Sequence, residues 1–176
     1  MCFGSGAQTV YKTYTPDEDK AGNSIVLSQF SFSLPFNANS NRGQNYVDGT
    51  SNNNWFVPDG LSAHGGIGIH FKKWIGISAN TGIDWRISQK LVSAPVYAML
   101  TINPHFNKET SLVLQGGIGQ AFALGRGNLS GTYQKYRVGI HFDDIMLFAD
   151  ASSFGYPVKD ITETGILSLG ISLLNF

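Results

Sequence analysis

The strongest constraint on the fold of this chain is an alternation of apolar and polar side chains that recurs in eight segments. In residues 75–86, Ile, Ala, Thr and Trp at odd positions alternate with Gly, Ser, Asn, Asp and Arg at even positions. Successive side chains of a β-strand point to opposite faces, so this pattern predicts strands with one apolar and one polar face. The eight predicted strands are residues 25–36, 61–71, 75–86, 92–106, 112–122, 132–142, 145–155 and 162–176. Each is about long enough to cross a bilayer as a tilted strand.

Composition excludes several other classes of protein. Charged residues make up 14% of the chain, against about a quarter in an average soluble protein. Twelve Lys and Arg balance twelve Asp and Glu, so we expect no nucleic-acid partner. Cys2 is the only cysteine, which excludes an internal disulfide framework or a Cys-rich zinc module. No uninterrupted apolar run approaches the roughly 18 to 20 residues of a transmembrane helix, so a membrane-spanning form must be a barrel.

The connections between the predicted strands also alternate in length. Those near Lys72, Asn107 and Asp143 are short, whereas residues 37–58, 87–91, 124–131 and 156–161 form longer connections. Short periplasmic turns and longer external loops are typical of transmembrane barrels. The sequence therefore predicts an all-β, eight-stranded antiparallel up-and-down transmembrane β-barrel, with both chain ends on the periplasmic side.

The first 24 residues carry no strand pattern. Ser5-Gly6-Ala7 before Gln8 is similar to the small-residue end of a secretory signal peptide. We therefore interpret residues 1–7 as a signal-peptide remnant, residues 8–24 as an N-terminal periplasmic segment and residues 25–176 as the barrel domain.

A period of two does not say which face points outward, so a soluble, lipocalin-like barrel with an apolar cavity is the alternative. A water-exposed face should be rich in Lys, Glu and Asp, but the polar face here is mostly Gly, Ser, Thr, Asn, Gln and His. Small polar groups suit a crowded barrel interior. Aromatic residues also group at the two barrel ends, as the two bilayer interfaces require. The predicted periplasmic girdle is Phe71, Trp74, Phe106, Phe142 and Phe176, and the predicted external girdle is Phe36, Trp55, Trp85, Phe122 and Tyr133.

Three features resemble the small eight-stranded outer-membrane barrels of the OmpA and OmpX type. They are Ala94-Pro95-Val96-Tyr97 at the start of a strand, the run Gly116-Gly117-Ile118-Gly119, and the terminal Phe176. The resemblance covers about residues 25–176. It implies a Gram-negative outer-membrane location, contact with outer-membrane lipid, and assembly by the outer-membrane insertion machinery, which reads the last strand in this family. Phe176 departs from that pattern, because Leu169, Ile171 and Leu173 place it out of phase with the apolar row.

Charged residues on the polar face predict ion pairs inside the barrel. A two-residue turn at Asp143-Asp144 pairs Phe142 with Ile145, and counting back places Arg137 opposite Asp150. The register that keeps apolar faces together brings Asp84 diagonal to His64, with Arg86 one step further. A gated or proton-sensitive pore is one interpretation of this lumen network. A satisfied polar core that fills the lumen is the other, since about eight strands leave little more than room for side chains.

Three histidines precede a phenylalanine at predicted periplasmic strand ends, namely His70, His105 and His141. By parity all three face inward. A three-histidine zinc ring is one hypothesis, because neutral imidazole is a common zinc ligand. Strands that alternate around a barrel lie far apart, so hydrogen-bonding polar residues above an interfacial aromatic are the simpler interpretation.

An enzymatic function can also be weighed from the sequence. Some eight-stranded outer-membrane barrels modify lipid A acyl chains, and Ser62, His64 and Asp84 are the one set that approximates a nucleophile, base and carboxylate. All three are predicted to face the lumen, away from acyl chains. Gly65-Gly66 and Gly116-Gly117 precede no helix and are not phosphate loops, so we expect no cofactor.

The loop of residues 37–58, with Asn52-Asn53-Asn54 and Trp55, suits an adhesive or ligand-binding role, or docking to a larger outer-membrane complex, although polar loops are more often only solvated. The sequence therefore predicts a non-enzymatic outer-membrane barrel with a structural or complex-partner role and a polar, plugged lumen. A narrow, porin-like pore is the alternative.

Overall fold

The computed structural model describes residues 25–38, 55–88, 90–105, 110–124, 130–155 and 164–176. The predicted segments 1–7 and 8–24, and most of the predicted loop 37–58, lie outside the described residues. Nine strands form in the described part of the chain: β1 (Val26–Ala38), β2 (Phe56–Pro58), β3 (Gly60–Phe71), β4 (Ile75–Arg86), β5 (Leu91–Ile102), β6 (Thr110–Leu124), β7 (Ser130–Phe142), β8 (Ile145–Gly155) and β9 (Thr164–Asn175). Within these ranges, no helix is long and apolar enough to span a membrane.

Eight of these strands form a closed antiparallel barrel, as predicted. The order is β1-β3-β4-β5-β6-β7-β8-β9, and β1 closes the barrel against β9. The closure is staggered by ten residues. A row of cross-strand partners that starts at Phe36 on β1 and passes once around the barrel ends at Val26 on the same strand. A stagger of this kind requires strands that tilt relative to the barrel axis.

The two faces of the wall differ completely in charge. All charged side chains of the barrel strands belong to inward positions: Asp84, Arg86, Lys135, Arg137 and Asp150 are each at most 5% exposed. Outward positions carry exposed apolar side chains, such as Ile67 at 66% and Ile118 at 63%. Hydrocarbon is the solvent that favours such an exterior, since charged groups are costly on a lipid-facing surface. The alternative barrel with a wetted exterior is therefore excluded.

The predicted loop 37–58 is partly a strand, which corrects the sequence interpretation. β1 continues to Ala38, and its end pairs with β2. Phe36 pairs with Pro58, and Ser33 pairs with Ser62. A step of three residues along β1 therefore corresponds to a step of four residues along its partner, so β2 and β3 are one strand interrupted by a β-bulge. Gly60 lies in this bulge with φ 150°, and a Cβ there would collide with the Trp85 carbonyl.

The bulge also fixes the connection between β4 and β5. The Asp59 amide donates to the Pro35 carbonyl oxygen at 2.8 Å. The Asp59 carboxylate accepts hydrogen bonds from the Ser88 amide and the Ser88 hydroxyl, both at 2.8 Å. One aspartate therefore ties β1 to the long-loop end of the β4–β5 hairpin.

The short connections at residues 72–74 and 143–144 form as the sequence predicts, whereas most of the connection predicted near Asn107 lies outside the described residues, and β5 is shorter than predicted. Asp143-Asp144 forms a two-residue turn that pairs Phe142 with Ile145, and Asp143 has a positive φ of 57°. β5 ends at Ile102 and not at Phe106. The next residue, Asn103, donates its amide to the Trp74 carbonyl at 2.7 Å, in the turn between β3 and β4. The Asn103 side chain also donates to the Lys73 carbonyl at 3.0 Å. Phe106 lies outside the described residues.

Candidate functional site in the barrel interior

Inward side chains stack in three layers along the bore. On β8, Phe154 lies near the long-loop end, Asp150 in the middle and Met146 near the short-turn end. The layer toward the long loops contains Tyr97, Met99, Ala121, Tyr133, Phe154 and Ile166, and the layer toward the short turns contains Leu27, Val113, Met146, Phe148 and Leu174. The charged groups between them are therefore held in surroundings of low polarity, where ionic contacts are strong and unpaired charges are costly.

Asp150 is the centre of the polar layer. Its Oδ2 lies 3.0 Å from Lys135 Nζ and 3.1 Å from Arg137 Nη2. The predicted pairing of Arg137 with Asp150 across β7 and β8 is confirmed. Lys135 was not predicted, although it shares the parity of Arg137 and lies diagonal to Asp150 on the neighbouring strand. One carboxylate thus compensates two buried cations.

Arg137 reaches well beyond its own strand pair. Its Nη2 donates to Ser31 Oγ on β1 at 3.5 Å, and its Nη1 donates to Gln115 Oε1 on β6 at 3.5 Å. β8 and β9 separate β7 from β1 in the barrel order, so this side chain crosses the bore. Its guanidinium also stacks on the Phe148 ring at 3.6 Å, which favours a buried cation.

Two glutamine side chains from distant parts of the sequence extend the network. Gln115 Nε2 donates to Gln29 Oε1 at 2.8 Å, and Gln29 Nε2 donates back to Gln115 Oε1 at 3.3 Å. Gln115 Nε2 also donates to Thr101 Oγ1 at 3.0 Å. The polar layer therefore links β1, β5, β6, β7 and β8.

His64 forms a second polar group with the predicted Asp84. His64 Nε2 lies 2.9 Å from Asp84 Oδ1, and its Nδ1 lies 2.8 Å from the Tyr97 hydroxyl. The predicted diagonal of His64 and Asp84 is confirmed by the register, in which Ser62 pairs with Asp84. Both imidazole nitrogens are thus engaged by residues other than Ser62. The set considered for acyl chemistry does not form a nucleophile–base pair.

Arg86, the fifth predicted lumen residue, lies at the long-loop end of β4. It is 3% exposed, and its guanidinium stacks on the Phe154 ring at 4.2 Å. Phe154 belongs to the layer toward the long loops. Arg86 therefore helps to fill the external half of the interior.

The three-histidine hypothesis fails on geometry in the described residues, where no group of three His, Cys, Asp or Glu side chains could hold a metal ion. His141 Nε2 is 3.1 Å from the Leu174 carbonyl oxygen, and His70 Nδ1 accepts from the Lys73 amide at 3.2 Å. The Phe176 ring lies between two of the histidines, with centroids 5.5 Å from His70 and 6.0 Å from His141. His70 and His141 thus contact the same aromatic ring, and each uses a ring nitrogen for a contact with the backbone.

The prediction of an outward, girdle position is wrong for two aromatic residues. Tyr133 is fully buried in the interior, because it shares the inward parity of Lys135 and Arg137. Phe176 is partly buried against the layer toward the short turns. Leu169 and Leu173 face outward on β9, so even-numbered residues such as Phe176 face inward. Other members are outward: Phe71, Trp74 and Phe142 at the short-turn end, and Trp85 and Phe122 at the long-loop end. Trp55 is exposed before β2, and Phe36 is half-buried.

Replacing Gly119 with Ala should destabilise the barrel by about 1–3 kcal/mol, because the new methyl group would overpack the wall. A Cβ at Gly119 would lie 2.1 Å from the Val96 carbonyl oxygen and 2.5 Å from Tyr97 Cα. Gly116 is the matched control on the same strand, since a Cβ there meets nothing within 4 Å. Urea unfolding of both variants in detergent micelles measures the difference. Equal stability of the two variants would contradict this packing.

The comparisons with known proteins concern the fold. No protein-family model and no curated protein matches the sequence. The crystal structure of Neisserial surface protein A (NspA) is similar at 11% identity and a TM-score of 0.57, covering 85% of this chain and 97% of that chain. The Yersinia pestis outer membrane protein Ail in a phospholipid nanodisc has 14% identity and a TM-score of 0.45, covering 85% and 99%. A de novo designed transmembrane β-barrel has 7% identity and a TM-score of 0.44, covering 85% and 94%.

Fold and surface together define the class of protein. A closed eight-stranded antiparallel barrel with an uncharged, largely apolar outer face and all its strand charges inside is a transmembrane β-barrel. The chain has the fold of the small bacterial outer-membrane barrels, as its sequence pattern predicts. The outer membrane is the location that this class occupies.

Proposed function

We propose that this protein is a non-enzymatic outer-membrane barrel with a closed lumen, serving as a structural component or as a partner in a larger outer-membrane complex. The observation that carries the proposal is the cluster of Asp150, Lys135 and Arg137 at the middle of the bore, with charge contacts of 3.0 and 3.1 Å. An ion entering the bore would have to displace these contacts in surroundings of low polarity, where they are strong.

The layers on either side of the charged cluster support a closed lumen. Tyr133 is fully buried at the centre of the external layer, where its ring centroid lies 5.0 Å from that of Tyr97 and 4.9 Å from that of Phe154. At the other end of the barrel, Phe176 packs against the layer toward the short turns. Water and ions would therefore have to pass two apolar layers as well as the charged one.

The state of His64 supports a non-enzymatic role. A general base must reach the proton of its nucleophile, directly or through one water. His64 instead lies between Asp84 and Tyr97, and its side chain is 4% exposed. We expect that expression of the protein leaves the acyl chains of lipid A unchanged in mass spectra. Loss of one acyl chain, absent with a His64→Gln variant, would contradict this part of the proposal.

In planar lipid bilayers, the purified barrel should show no current steps of nanosiemens scale, because side chains fill the interior of a barrel of about eight strands. Single-channel recording at neutral pH is the measurement. A double variant, Arg137→Ser with Asp150→Ser, serves as the comparison, since it removes the side chain that crosses the bore together with its counter-ion. Stable nanosiemens steps in the unmodified protein would favour the alternative of a narrow pore.

The proposed complex-partner role requires binding partners in the outer membrane. The sequence resemblance leads us to expect outer-membrane lipid and the outer-membrane insertion machinery as partners during assembly, with a larger complex afterwards. Co-purification in mild detergent, followed by mass spectrometry, tests the last of these. A stoichiometric protein partner supports the complex role, and a barrel that always purifies alone supports a purely structural one.

A further inference from the structure

The outward face of β5 to β9 carries a groove that the interior does not explain. Two depressions of about 770 and 280 Å³ adjoin there and share Tyr136, Ala151 and Leu167. The larger one reaches Ile102 at the short-turn end of β5, and the smaller one reaches Gly165 at the long-loop end of β9. The groove therefore runs along most of the height of the membrane-facing wall.

Small outward side chains create this groove. Gly116, Ala149 and Ala151 line its floor beside Tyr136, which projects from the wall at 62% exposure. Gly116 pairs with Tyr136, and Tyr136 pairs with Ala151, so the large residue stands between two small ones in one row. On the opposite side of the barrel, the corresponding outward positions are occupied by larger residues, such as Ile77 on β4 and Ile69 on β3.

Uncharged polar side chains cluster at the long-loop end of the groove. Gln120 pairs with Thr132, and Gln134 pairs with Ser153, so four polar residues on three neighbouring strands face outward together. Ser153 also lines the smaller depression. Outward residues at the same end of β3 and β4 are instead Leu61 and Trp85. This cluster accounts for Gln120, a polar residue on the otherwise apolar face.

We propose that the groove binds a membrane glycolipid of the external leaflet, with an acyl chain along the groove and its sugar hydroxyls hydrogen-bonded by Gln134, Ser153 and their polar neighbours. The position supports a lipid, because this wall faces hydrocarbon and the polar cluster extends from Gln134, four residues inside the long-loop end of β7, to Thr132, two residues from that end. Charge supports an uncharged head group. No outward position of any barrel strand carries a cation that would pair with a phosphate. The proposal goes beyond the proposed function and does not depend on the closed lumen.

Competitive lipid retention tests the proposal. The barrel is purified from detergent containing equal amounts of a glucosyl diacylglycerol and a phosphatidylglycerol with the same acyl chains, and bound lipid is counted by native mass spectrometry. We expect the glycolipid to be retained about tenfold more, the ratio that one or two net hydrogen bonds supply. Equal retention of the two lipids overturns the proposal, and so does a protein dimer that retains neither.

Two variants locate the site. Ala151→Leu fills the groove and should reduce glycolipid retention to the level of the phospholipid, whereas Ala79→Leu, outward on β4 and away from the groove, should leave retention unchanged. Gln134→Val should abolish the preference for the sugar head group while lipid is still retained. Heat-modified gel migration verifies that each variant is folded. Unchanged glycolipid retention in folded Ala151→Leu overturns the assignment to this groove.

Discussion

Replacing Asp150 with Ala is expected to lower the free energy of unfolding by about 3–5 kcal/mol, the cost of leaving a buried charge without its partner. The side chain of Asp150 is fully buried, and its Oδ2 contacts both Lys135 and Arg137. Removing it leaves Lys135 and Arg137 without the carboxylate that both contact. Urea unfolding in detergent micelles, followed by tryptophan fluorescence, measures the loss.

The control for this prediction lies directly across the strand pair. Ser168 on β9 pairs with Asp150, faces inward and is 5% exposed. Ser168→Ala keeps every charge, so it should cost about 1 kcal/mol or less. Asp150→Asn should behave as Asp150→Ala does, because it keeps the shape but loses the charge. If Asp150→Asn is as stable as the unmodified barrel, Asp150 is not the counter-ion of this layer.

An arginine in place of Tyr136 is expected to destabilise the barrel in a bilayer by about 2–4 kcal/mol, the cost of a cation near the bilayer midplane. Tyr136 faces outward at the centre of β7 at 62% exposure, six residues from both Ser130 and Phe142. A charged side chain there must extend along hydrocarbon to reach water. Urea unfolding from phospholipid vesicles measures the cost.

Thr132 provides the matched control on the same strand and the same face. It lies near the long-loop end of β7, where an arginine reaches the head groups, so Thr132→Arg should cost about 0–1 kcal/mol. The difference between the two variants depends on depth in the membrane, since residue type, strand and face are the same. Equal effects at the two positions would mean that β7 does not cross hydrocarbon between them.

The sequence predicts the wall of this barrel better than its interior. Alternation with a period of two separates the two faces, and the tight turn at Asp143-Asp144 sets the register that places Arg137 opposite Asp150. Lys135 was equally accessible to that reasoning, since it has the same parity. Tyr133 and Phe176 face inward although they lie near strand ends, because parity, and not distance from a strand end, sets the face of an aromatic residue.

Other features depend on information that no local pattern contains. The Gln29–Gln115 pair joins residues 86 positions apart, and it forms only because the closure of β1 against β9 has a particular stagger. The bulge at Asp59 and Gly60 follows one proline and lies beside a polar loop, where a strand was not expected. Small residues such as Gly116 and Ala151 look unremarkable in sequence, because the groove appears only when neighbouring strands are placed side by side.

Site-directed spin labelling along β8 and β9 tests the central claim most directly, in a Cys2→Ser background reconstituted in phospholipid vesicles. Single cysteines at Leu147, Ala149 and Ala151 face outward, and those at Ser152 and Ser168 face inward. We expect the outward labels to collide readily with lipid-soluble oxygen and hardly with a water-soluble nickel complex, and the inward labels to collide little with either. Outward labels that collide freely with the nickel complex would contradict a barrel whose apolar face meets lipid.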